Sequence, residues 1–191
     1  NNIFRVVNQF EMQQGNQTRI PDVLLFINGI PVCIIELKNP TDVNATIRNA
    51  HTQITVRYRR DISALMKYCP IACISDASNS RMGSTTADYE FFYAWRKIEN
   101  EDKAGSGLQE LDSLIHGALK PTRLVEILRD FVYFPNKGPQ DSKEICVVCR
   151  YPQFFAARRL RGNILAHLQG NGGDGKGGIY FGATGCGKTY T

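Results

Sequence analysis

Three charged residues lie at the ends of two apolar segments, and their types could support metal-dependent chemistry. Asp22 precedes the apolar run at residues 23–27, whereas Glu36 and Lys38 end the run at residues 32–35. Carboxylate oxygens are the ligands that Mg²⁺ prefers. A nearby ammonium group can orient a metal-bound water and offset the charge that builds on a scissile phosphate. The pattern predicts Asp22 and Glu36 as metal ligands and Lys38 as a catalytic residue.

The pair Asn28-Gly29 separates the two apolar runs and predicts a β-hairpin, because a type I′ turn needs positive φ at both central positions. Side chains alternate along a strand, so Glu36 and Lys38 share one face. Charges on a largely buried face are costly unless they are paired or bind an ion. The alternative interpretation is that Asp22 caps the strand and that Glu36 and Lys38 form a surface pair.

A second motif lies near the end of the chain, where GATGCGKT matches the pattern G-x-x-x-x-G-K-[ST]. Its glycines let backbone N–H groups turn towards phosphates, its lysine reaches phosphate oxygens and its threonine hydroxyl ligates Mg²⁺. A predicted strand at residues 179–181 runs straight into it, as an ATP site requires. We expect weak or no ATP hydrolysis by this chain alone, because no strand with a second acidic motif follows. The predicted ATP-binding residues are Gly182, Gly185, Gly187, Lys188 and Thr189, with Thr189 also a metal ligand.

The remaining sequence predicts an α/β domain around the hairpin. Period and turn signals predict a helix over residues 43–60, capped by Thr41 or Asp42. The segment 136–143 is rich in Pro, Gly and polar residues, so we predict a first domain at residues 1–135, a linker, and the start of a second domain at residues 144–191. Predicted strands are 3–12, 70–75, 81–85 and 90–95, and further helices are 62–68, 108–119, 121–131 and 152–168.

Composition places the chain among ordinary globular proteins, with 42% hydrophobic and 21% charged residues. No apolar run is long enough to span a bilayer and no secretory leader is present, so we expect a cytoplasmic protein without membrane association and with reduced thiols. Residues 1–135 contain 15 basic and 15 acidic residues, and the net charge of +5 comes from the rest. The chain starts without Met and stops inside a predicted helix, so we expect it to belong to a longer protein.

The order of motifs resembles the R (restriction and translocation, HsdR) subunit of type I restriction-modification enzymes. The resemblance covers nearly the whole chain through RIPDVLLFINGIPVCIIELKNP, AHTQITVRY, ISDASNSRMGS, RYPQFFAARRL and ATGCGKT. It implies a PD-(D/E)xK nuclease fold of the RecB-like kind, with a central mixed sheet flanked by helices. The start of a RecA-like P-loop motor lobe follows in that family.

The resemblance also implies roles for individual residues. Gln153, in YPQ before the P-loop, would contact adenine. These nucleases carry a Gln-x-x-x-Tyr motif after the lysine, but here Tyr58 follows Gln53 at five residues, about 140° away on an ideal helix. Either the helix is overwound there or Arg57 takes part of the role, with Gln53 and Tyr58 as the candidate catalytic residues. The family also supplies an acid upstream of the first strand; Glu11 lies on another element, which would leave the metal site incomplete.

The implied activity is that of a type I site-specific deoxyribonuclease. It would cut double-stranded DNA with Mg²⁺, coupled in the intact protein to ATP-driven translocation, with methyltransferase (M) and specificity (S) subunits as partners. No base-reading module is evident in the sequence, which fits specificity in another subunit. The alternatives are a repair-type helicase–nuclease and a non-catalytic nuclease-like docking domain.

Overall fold

A computed structural model describes residues 1–42, 45–99, 108–135, 144–169, 174–181 and 187. The chain divides into two compact units, Asn1–Val148 and Cys149–Thr191. The predicted linker at residues 136–143 lies outside the described residues. Among the described residues, no helix combines the length and the apolar character needed to cross a membrane.

The first unit is built on a five-stranded mixed sheet of order β1-β4-β5-β6-β7. Only β5 and β6 pair in parallel within this sheet, and its other neighbouring strands are antiparallel. Helices flank the sheet, so the predicted α/β architecture with a central mixed sheet is confirmed. The strands of the unit are β1 Phe4–Asn8, β2 Met12–Gln14, β3 Gln17–Arg19, β4 Val23–Ile27, β5 Ile30–Leu37, β6 Ile71–Ser75, β7 Ser80–Ser84, β8 Val132–Tyr133 and β9 Val147–Val148.

The β4–β5 hairpin forms as the sequence predicts. Asn28 and Gly29 take φ values of 53° and 85°, the positive pair that a type I′ turn requires. The predicted strand over residues 3–12 is instead two strands, β1 and β2. Gln9 interrupts the strand because its φ is 50°, whereas residues in an extended strand have negative φ.

A helical crossover joins the parallel strands β5 and β6. The predicted start of this helix at residue 43, with Thr41 or Asp42 as its cap, is wrong. The side chain of Asn39 accepts hydrogen bonds from the backbone N–H and the hydroxyl of Thr41 and holds a turn there. Thr46 caps the helix instead, accepting from the Asn49 backbone N–H. The crossover comprises α1 Ile47–Thr52, a π-helical turn Gln53–Tyr58, α2 Arg59–Asp61 and α3 Ser63–Met66.

One face of the sheet packs against this crossover to form the main core. Leu24 and Ile34 are paired across β4 and β5 and both are fully buried. Burial of such side chains supplies most of the driving force for folding, at about 25 cal/mol per Å² of apolar surface. The core residues of the crossover are Ile47, Ala50, Ile54, Tyr58, Ile62, Leu65 and Met66.

The aromatic segment at residues 90–95 is not the predicted strand. Tyr89–Phe91 form a single 3₁₀ turn, and one bridge between Met82 and Tyr93 is the contact with β7. Phe92 is buried over Gly83, where an added Cβ would lie 2.7 Å from the phenyl ring. Because Gly83 has no side chain, the ring of Phe92 can pack directly over it in the core.

Two further helices complete the described part of the first unit. α4 covers Leu108–Ser113 and continues into a second π-helical turn, Leu114–Ala118. α5 covers Pro121–Asp130 and has Pro in its first turn, as predicted. Between these helices and the aromatic segment, the structure describes residues 98 and 99 but not 100–107.

The second unit contains α6, Tyr151–Gln169, close to its predicted bounds. The predicted strand at residues 179–181 is wrong, because these residues belong to no strand and the side chains of Ile179 and Phe181 are exposed. Gly187 is the residue of the predicted phosphate loop that the structure describes. Gly182, Gly185, Lys188 and Thr189 lie outside the described residues.

Candidate active site

The hairpin brings Asp22 and Glu36 to the same end of the sheet. Val23 pairs with Ile35, so the residues just beyond that pair are the two acids. Asp22 Oδ2 accepts a hydrogen bond of 2.8 Å from the backbone N–H of Leu37, and Oδ1 accepts one of 3.2 Å from Gln9 Nε2. The carboxylate of Asp22 is thereby fixed across the end of β5.

Glu36 is almost completely buried, with 2% of its surface exposed, and both of its carboxylate oxygens are hydrogen-bonded. Oε1 accepts from Lys38 Nζ at 2.9 Å and from Gln53 Nε2 at 2.5 Å. Oε2 accepts from the Tyr58 hydroxyl at 3.1 Å. Three side chains from β5 and the crossover therefore converge on one carboxylate.

Burial raises the pKa of Glu36, because water stabilises the ionised form and has been excluded. The bond from Lys38 works in the opposite direction, and the negative charge of Asp22 adds to the rise. The pKa of Glu36 is raised on balance. The exclusion of water, more than the negative charge of Asp22, causes that rise.

Lys38 lies on the same side of β5 as Glu36, as strand alternation predicts, while the intervening Leu37 is 43% exposed. The backbone N–H of Lys38 donates to Ser75 O on β6, which extends the pairing of the two strands to this residue. Its ammonium group also donates to Gln53 Oε1 at 2.8 Å. Lys38 is thus held between Glu36 and the crossover helix.

The π-helical turn places Tyr58 beside Gln53. In this geometry the hydrogen bonds run from residue i to i+5, so residues five apart stack instead of diverging by about 140° as on an α-helix. Gln53 Nε2 donates to the Tyr58 hydroxyl at 2.6 Å. The helix is therefore wider here than an α-helix, and the expectation that it is overwound is wrong. Arg57 is exposed and takes no part in the hydrogen bonds of Glu36, Gln53 and Tyr58 among the described residues.

Tyr58 is a buried donor to Glu36. Burial raises its pKa, the bond from Gln53 opposes that rise, and the negative charges of Glu36 and Asp22 add to it. The hydroxyl therefore stays protonated at neutral pH and donates to the carboxylate throughout the physiological range.

A groove of about 330 Å³ opens beside the cluster. Lys38 and Gln53 are among its lining residues, so Lys38 lies beside a space that solvent can reach. The groove is completed by Ala45, Asn49, Thr52 and Arg57.

Within the described parts of the chain, no group of three or more His, Cys, Asp or Glu side chains is arranged to hold a metal ion. The acids that converge at the hairpin are the pair Asp22 and Glu36. Cys146 and Cys149, of the lone C-x-x-C sequence, are buried free thiols.

The amide of Gln153 is engaged within the second unit. Its Oε1 accepts from the Arg150 backbone N–H at 2.7 Å, and its Nε2 donates to Gly187 O at 2.6 Å. Gly187 has a φ of 82°, and an added Cβ would lie 2.5 Å from Gln153 Nε2. The predicted adenine contact of Gln153 stays a prediction, and its link to the phosphate-loop segment is an additional finding.

Sequence reasoning missed Gln9. Its side chain donates to Asp22 and its backbone N–H donates to Asp22 O at 2.9 Å. The pairing register of β1 with β4 is what brings the two residues together, and the sequence contains no motif that fixes this register.

The chain is similar to known proteins. Residues 1–91 match the family described as type I restriction enzyme R protein N terminus. The chain is 31% identical over 194 residues to the type I restriction enzyme HindI endonuclease subunit of Haemophilus influenzae, and this match covers 100% of the chain and 18% of the relative.

Two further relatives extend the comparison. The putative type I restriction enzyme MjaIXP endonuclease subunit of Methanocaldococcus jannaschii is 31% identical over 211 residues, covering 100% of this chain and 19% of the relative. The type I restriction enzyme EcoprrI endonuclease subunit of Escherichia coli is 27% identical over 168 residues, and the match covers 83% of this chain and 49% of the relative. The chain spans about a fifth of the length of the first two relatives. On the match of residues 1–91 and these whole-chain similarities, the chain belongs to the type I restriction enzyme R protein family.

Proposed function

We propose that the site cleaves phosphodiester bonds of double-stranded DNA as the nuclease centre of a type I restriction enzyme. The observation that carries this proposal is the buried carboxylate of Glu36, joined to Lys38, Gln53 and Tyr58 in one hydrogen-bond network beside Asp22. The names of the relatives, which are endonuclease subunits, support the same activity.

The fold supports a PD-(D/E)xK nuclease of the RecB-like kind. Its mixed sheet presents one acid before a strand and a Glu-x-Lys sequence at the end of the next, and the crossover helix delivers a glutamine and a tyrosine to that point. Because many folds with a mixed sheet have unrelated functions, the proposal rests on the site rather than on the sheet.

The donor set fits Mg²⁺. Asp22 and Glu36 offer hard carboxylate oxygens at the same end of the sheet, and a divalent cation would offset the cost of burying the ionised carboxylate of Glu36. Asp22 and Glu36 would hold the ion, which when bound lowers the pKa of a coordinated water and polarises a phosphoryl oxygen.

The other side chains of the cluster would stabilise charge on the phosphate and orient the Glu36 carboxylate and the Lys38 ammonium group. Lys38 faces the groove and supplies positive charge where a phosphate would gather negative charge, while Gln53 fixes the ammonium group through its amide oxygen. Tyr58 holds Oε2 of Glu36 and so sets the direction in which the carboxylate points. Gln53 and Tyr58 act as positioning residues in this proposal.

The wider activity of the intact protein belongs to the same proposal. We infer ATP-driven translocation along DNA in the cytoplasm, with ATP and Mg²⁺ held by Gly182, Gly185, Gly187, Lys188 and Thr189. Methyltransferase (M) and specificity (S) subunits would be the partners. The similarity of the whole chain to endonuclease subunits of type I restriction enzymes supports this inference.

The test is the substitution of Glu36→Ala or Lys38→Ala in the full-length protein assembled with its partner subunits. Mg²⁺-dependent cleavage of plasmid DNA should fall at least about a hundredfold, the typical cost of losing one preorganised electrostatic group. ATP-driven translocation, measured by displacement of a triplex-forming strand, should continue. Lys67→Ala removes an exposed lysine of the same unit and should leave cleavage unchanged. Cleavage at the normal rate in both site variants would refute the proposal.

A further inference from the structure

Two arginines lie over one tyrosine ring outside the acidic cluster. The guanidinium carbon of Arg48, on α1, is 4.4 Å from the centroid of the Tyr89 ring, and that of Arg81, on β7, is 5.2 Å away. Neither guanidinium group forms an ion pair or a hydrogen bond within the described part of the chain. The positive charges of both therefore remain available to a ligand.

Strand register places Arg81 in line with Glu36. Glu36 pairs with Ile74 on β6, and Ile74 pairs with Arg81 on β7. Directly paired residues point to the same face of a sheet, so Arg81 and Glu36 share a face. Two strand separations make the distance between their backbones about 10 Å. Tyr89 packs against the same core as Tyr58, which agrees with this placement.

The aromatic ring gives the arginines a defined orientation. Cation–π contact holds each guanidinium plane near the ring and limits the rotamers that the free side chain would otherwise sample. A guanidinium group presents a fork of N–H donors that matches the oxygens of a phosphate. Arg48 is exposed and Arg81 is half-buried, so the pair is accessible and yet partly shielded from solvent.

We propose that Arg48, Tyr89 and Arg81 form a phosphate clamp that binds the DNA backbone beside the acidic cluster. The separation of about 10 Å corresponds to roughly three steps of 3.4 Å along a duplex. The clamp therefore holds a phosphate about three nucleotides from the scissile bond and sets the path of the strand over Lys38. The identity of the ligand as DNA rests on the proposed function.

The local positive charge of the two arginines favours a negatively charged ligand such as a nucleic-acid backbone. Residues 1–135 carry equal numbers of basic and acidic residues, 15 of each, so bulk charge does not attract DNA to this unit. Attraction must come from places where positive side chains are not paired with acidic ones. Neither arginine of the clamp forms an ion pair within the described residues, so the two charges are not neutralised locally.

The test measures DNA binding by the full-length protein as a function of salt. The variants are Arg48→Gln, Arg81→Gln and their combination, with a fluorescent non-specific duplex in EDTA between about 50 and 200 mM KCl. Each lost phosphate contact should lower the slope of log K against log salt by about 0.9, because fewer counterions are released. Because the two arginines clamp one phosphate, the double variant should lose about 0.9 from the slope.

Arg5→Gln is the matched control. Arg5 is an exposed arginine on β1, the opposite edge strand, and pairs with Phe26 away from the acidic end. It should keep the wild-type slope. The double substitution Arg48→Lys with Arg81→Lys should also keep the slope, because it retains both charges. Thermal unfolding of each variant checks the fold, and Arg48→Gln changes only an exposed side chain.

Two outcomes overturn the clamp: a double glutamine variant with the slope of Arg5→Gln, or lysine variants that lose as much slope as the glutamine variants. The second would show that packing, not charge, is what the arginines supply. Cleavage by Glu36→Ala separates this inference from the proposed function. If the arginine variants keep the wild-type slope while Glu36→Ala abolishes cleavage, the clamp is refuted and the nuclease assignment stands. If the arginine variants reduce the slope while Glu36→Ala cleaves normally, the nuclease assignment is refuted and the clamp stands.

Discussion

At the scale of single residues, Glu36 is the group whose environment most shapes the site. It is buried, it is bonded by three side chains, and its pKa is nevertheless raised because burial and Asp22 outweigh Lys38 and Tyr58. A carboxylate in this state destabilises the folded protein without a cation. The proposed function and the stability of the fold therefore oppose one another at this position.

Glu36→Gln should make this conflict measurable in the absence of divalent cations. A raised pKa in the folded state means that the native protein binds the proton more tightly, so wild-type stability falls as pH rises from the usual value of 4.5 through the folded pKa. The variant does not titrate there. The free energy of unfolding of the variant minus that of wild type, measured by urea titrations in EDTA, should therefore become more positive between about pH 4 and pH 8.

Glu90→Gln, at an exposed glutamate of the same unit, is the control and should show no such shift. A difference between the Glu36 variant and wild type that stays constant with pH would contradict the interpretation of Glu36 as a strained buried acid.

Sequence reasoning reached some of these residues and not others. The turn pair Asn28-Gly29 and strict strand alternation suffice to bring Glu36 and Lys38 together, because both are local rules. The burial of Glu36 depends on the crossover that covers it, which local rules do not describe. Gln9 was missed for the same reason, since its contact with Asp22 arises from pairing between β1 and β4.

At the scale of elements, the π-helical turn Gln53–Tyr58 decides how the crossover meets the sheet. It contains one residue more than the α-helical path between the same two contacts would need. The extra residue moves Tyr58 back over Gln53, and both Ile54 and Tyr58 are buried in the core. The tyrosine therefore keeps its hydrogen bonds despite its displaced position in the sequence.

Deletion of Val56 should convert this turn into ordinary α-helix and preserve the site. Val56 is exposed, and its removal would leave Gln53 and the tyrosine four residues apart, about 40° on an ideal helix. We expect a loss of less than about 1.5 kcal/mol in the free energy of unfolding, which is typical of changes that spare the core. Urea denaturation, with metal-dependent cleavage as a second readout, measures the effect.

A deletion in a regular helix supplies the comparison. Removing Glu126 from α5 would rotate the buried Ile127 by about 100° away from its core position, at a cost of roughly 2 kcal/mol or more. Equal damage from the two deletions would show that the π-helical turn is not a tolerated insertion.

The errors at this scale have a common physical origin. The segment 90–95 reads as a strand by composition, yet Phe92 fills the space above Gly83 and the segment bends into a 3₁₀ turn. Propensity records how well a residue suits a pleated surface, and tertiary packing overrides it. The inner strand β6 was predicted correctly because a short, uniformly apolar run leaves fewer alternatives.

At the scale of the whole molecule, the acidic cluster and the phosphate clamp belong entirely to the unit Asn1–Val148. Each hydrogen bond described for Asp22, Glu36, Lys38, Gln53 and Tyr58 has its partner within that unit. The predicted nucleotide-binding residues belong to the other unit.

A chain ending at Val148 should therefore retain metal binding. It keeps β9, which pairs with β8, and should unfold cooperatively. Its dissociation constant for Mn²⁺, measured by calorimetry, should match that of the full chain within about twofold, as expected for independent sites. Lys188→Ala in the full chain should have no effect on this constant. Loss of Mn²⁺ binding on truncation would show that the second unit completes the site.

Whole-molecule features were the least accessible to prediction. The mixed sheet was implied by the family resemblance, whereas the sequence pattern itself predicted the hairpin and the helix between two strand-like runs. The predicted strand before the phosphate loop did not form, although Ile179, Tyr180 and Phe181 are strand-forming by type. Strands need partners, and three residues of high propensity do not create one.

The widened turn also bears on how relatives of this chain can be found. A search pattern that fixes three residues between glutamine and tyrosine counts positions along the backbone, whereas the proposed site requires only that the two side chains meet. In this chain Gln53 and Tyr58 meet at 2.6 Å with the wrong count. Catalogues built on rigid spacing will pass over such proteins, and comparison of side-chain positions in space will recover them.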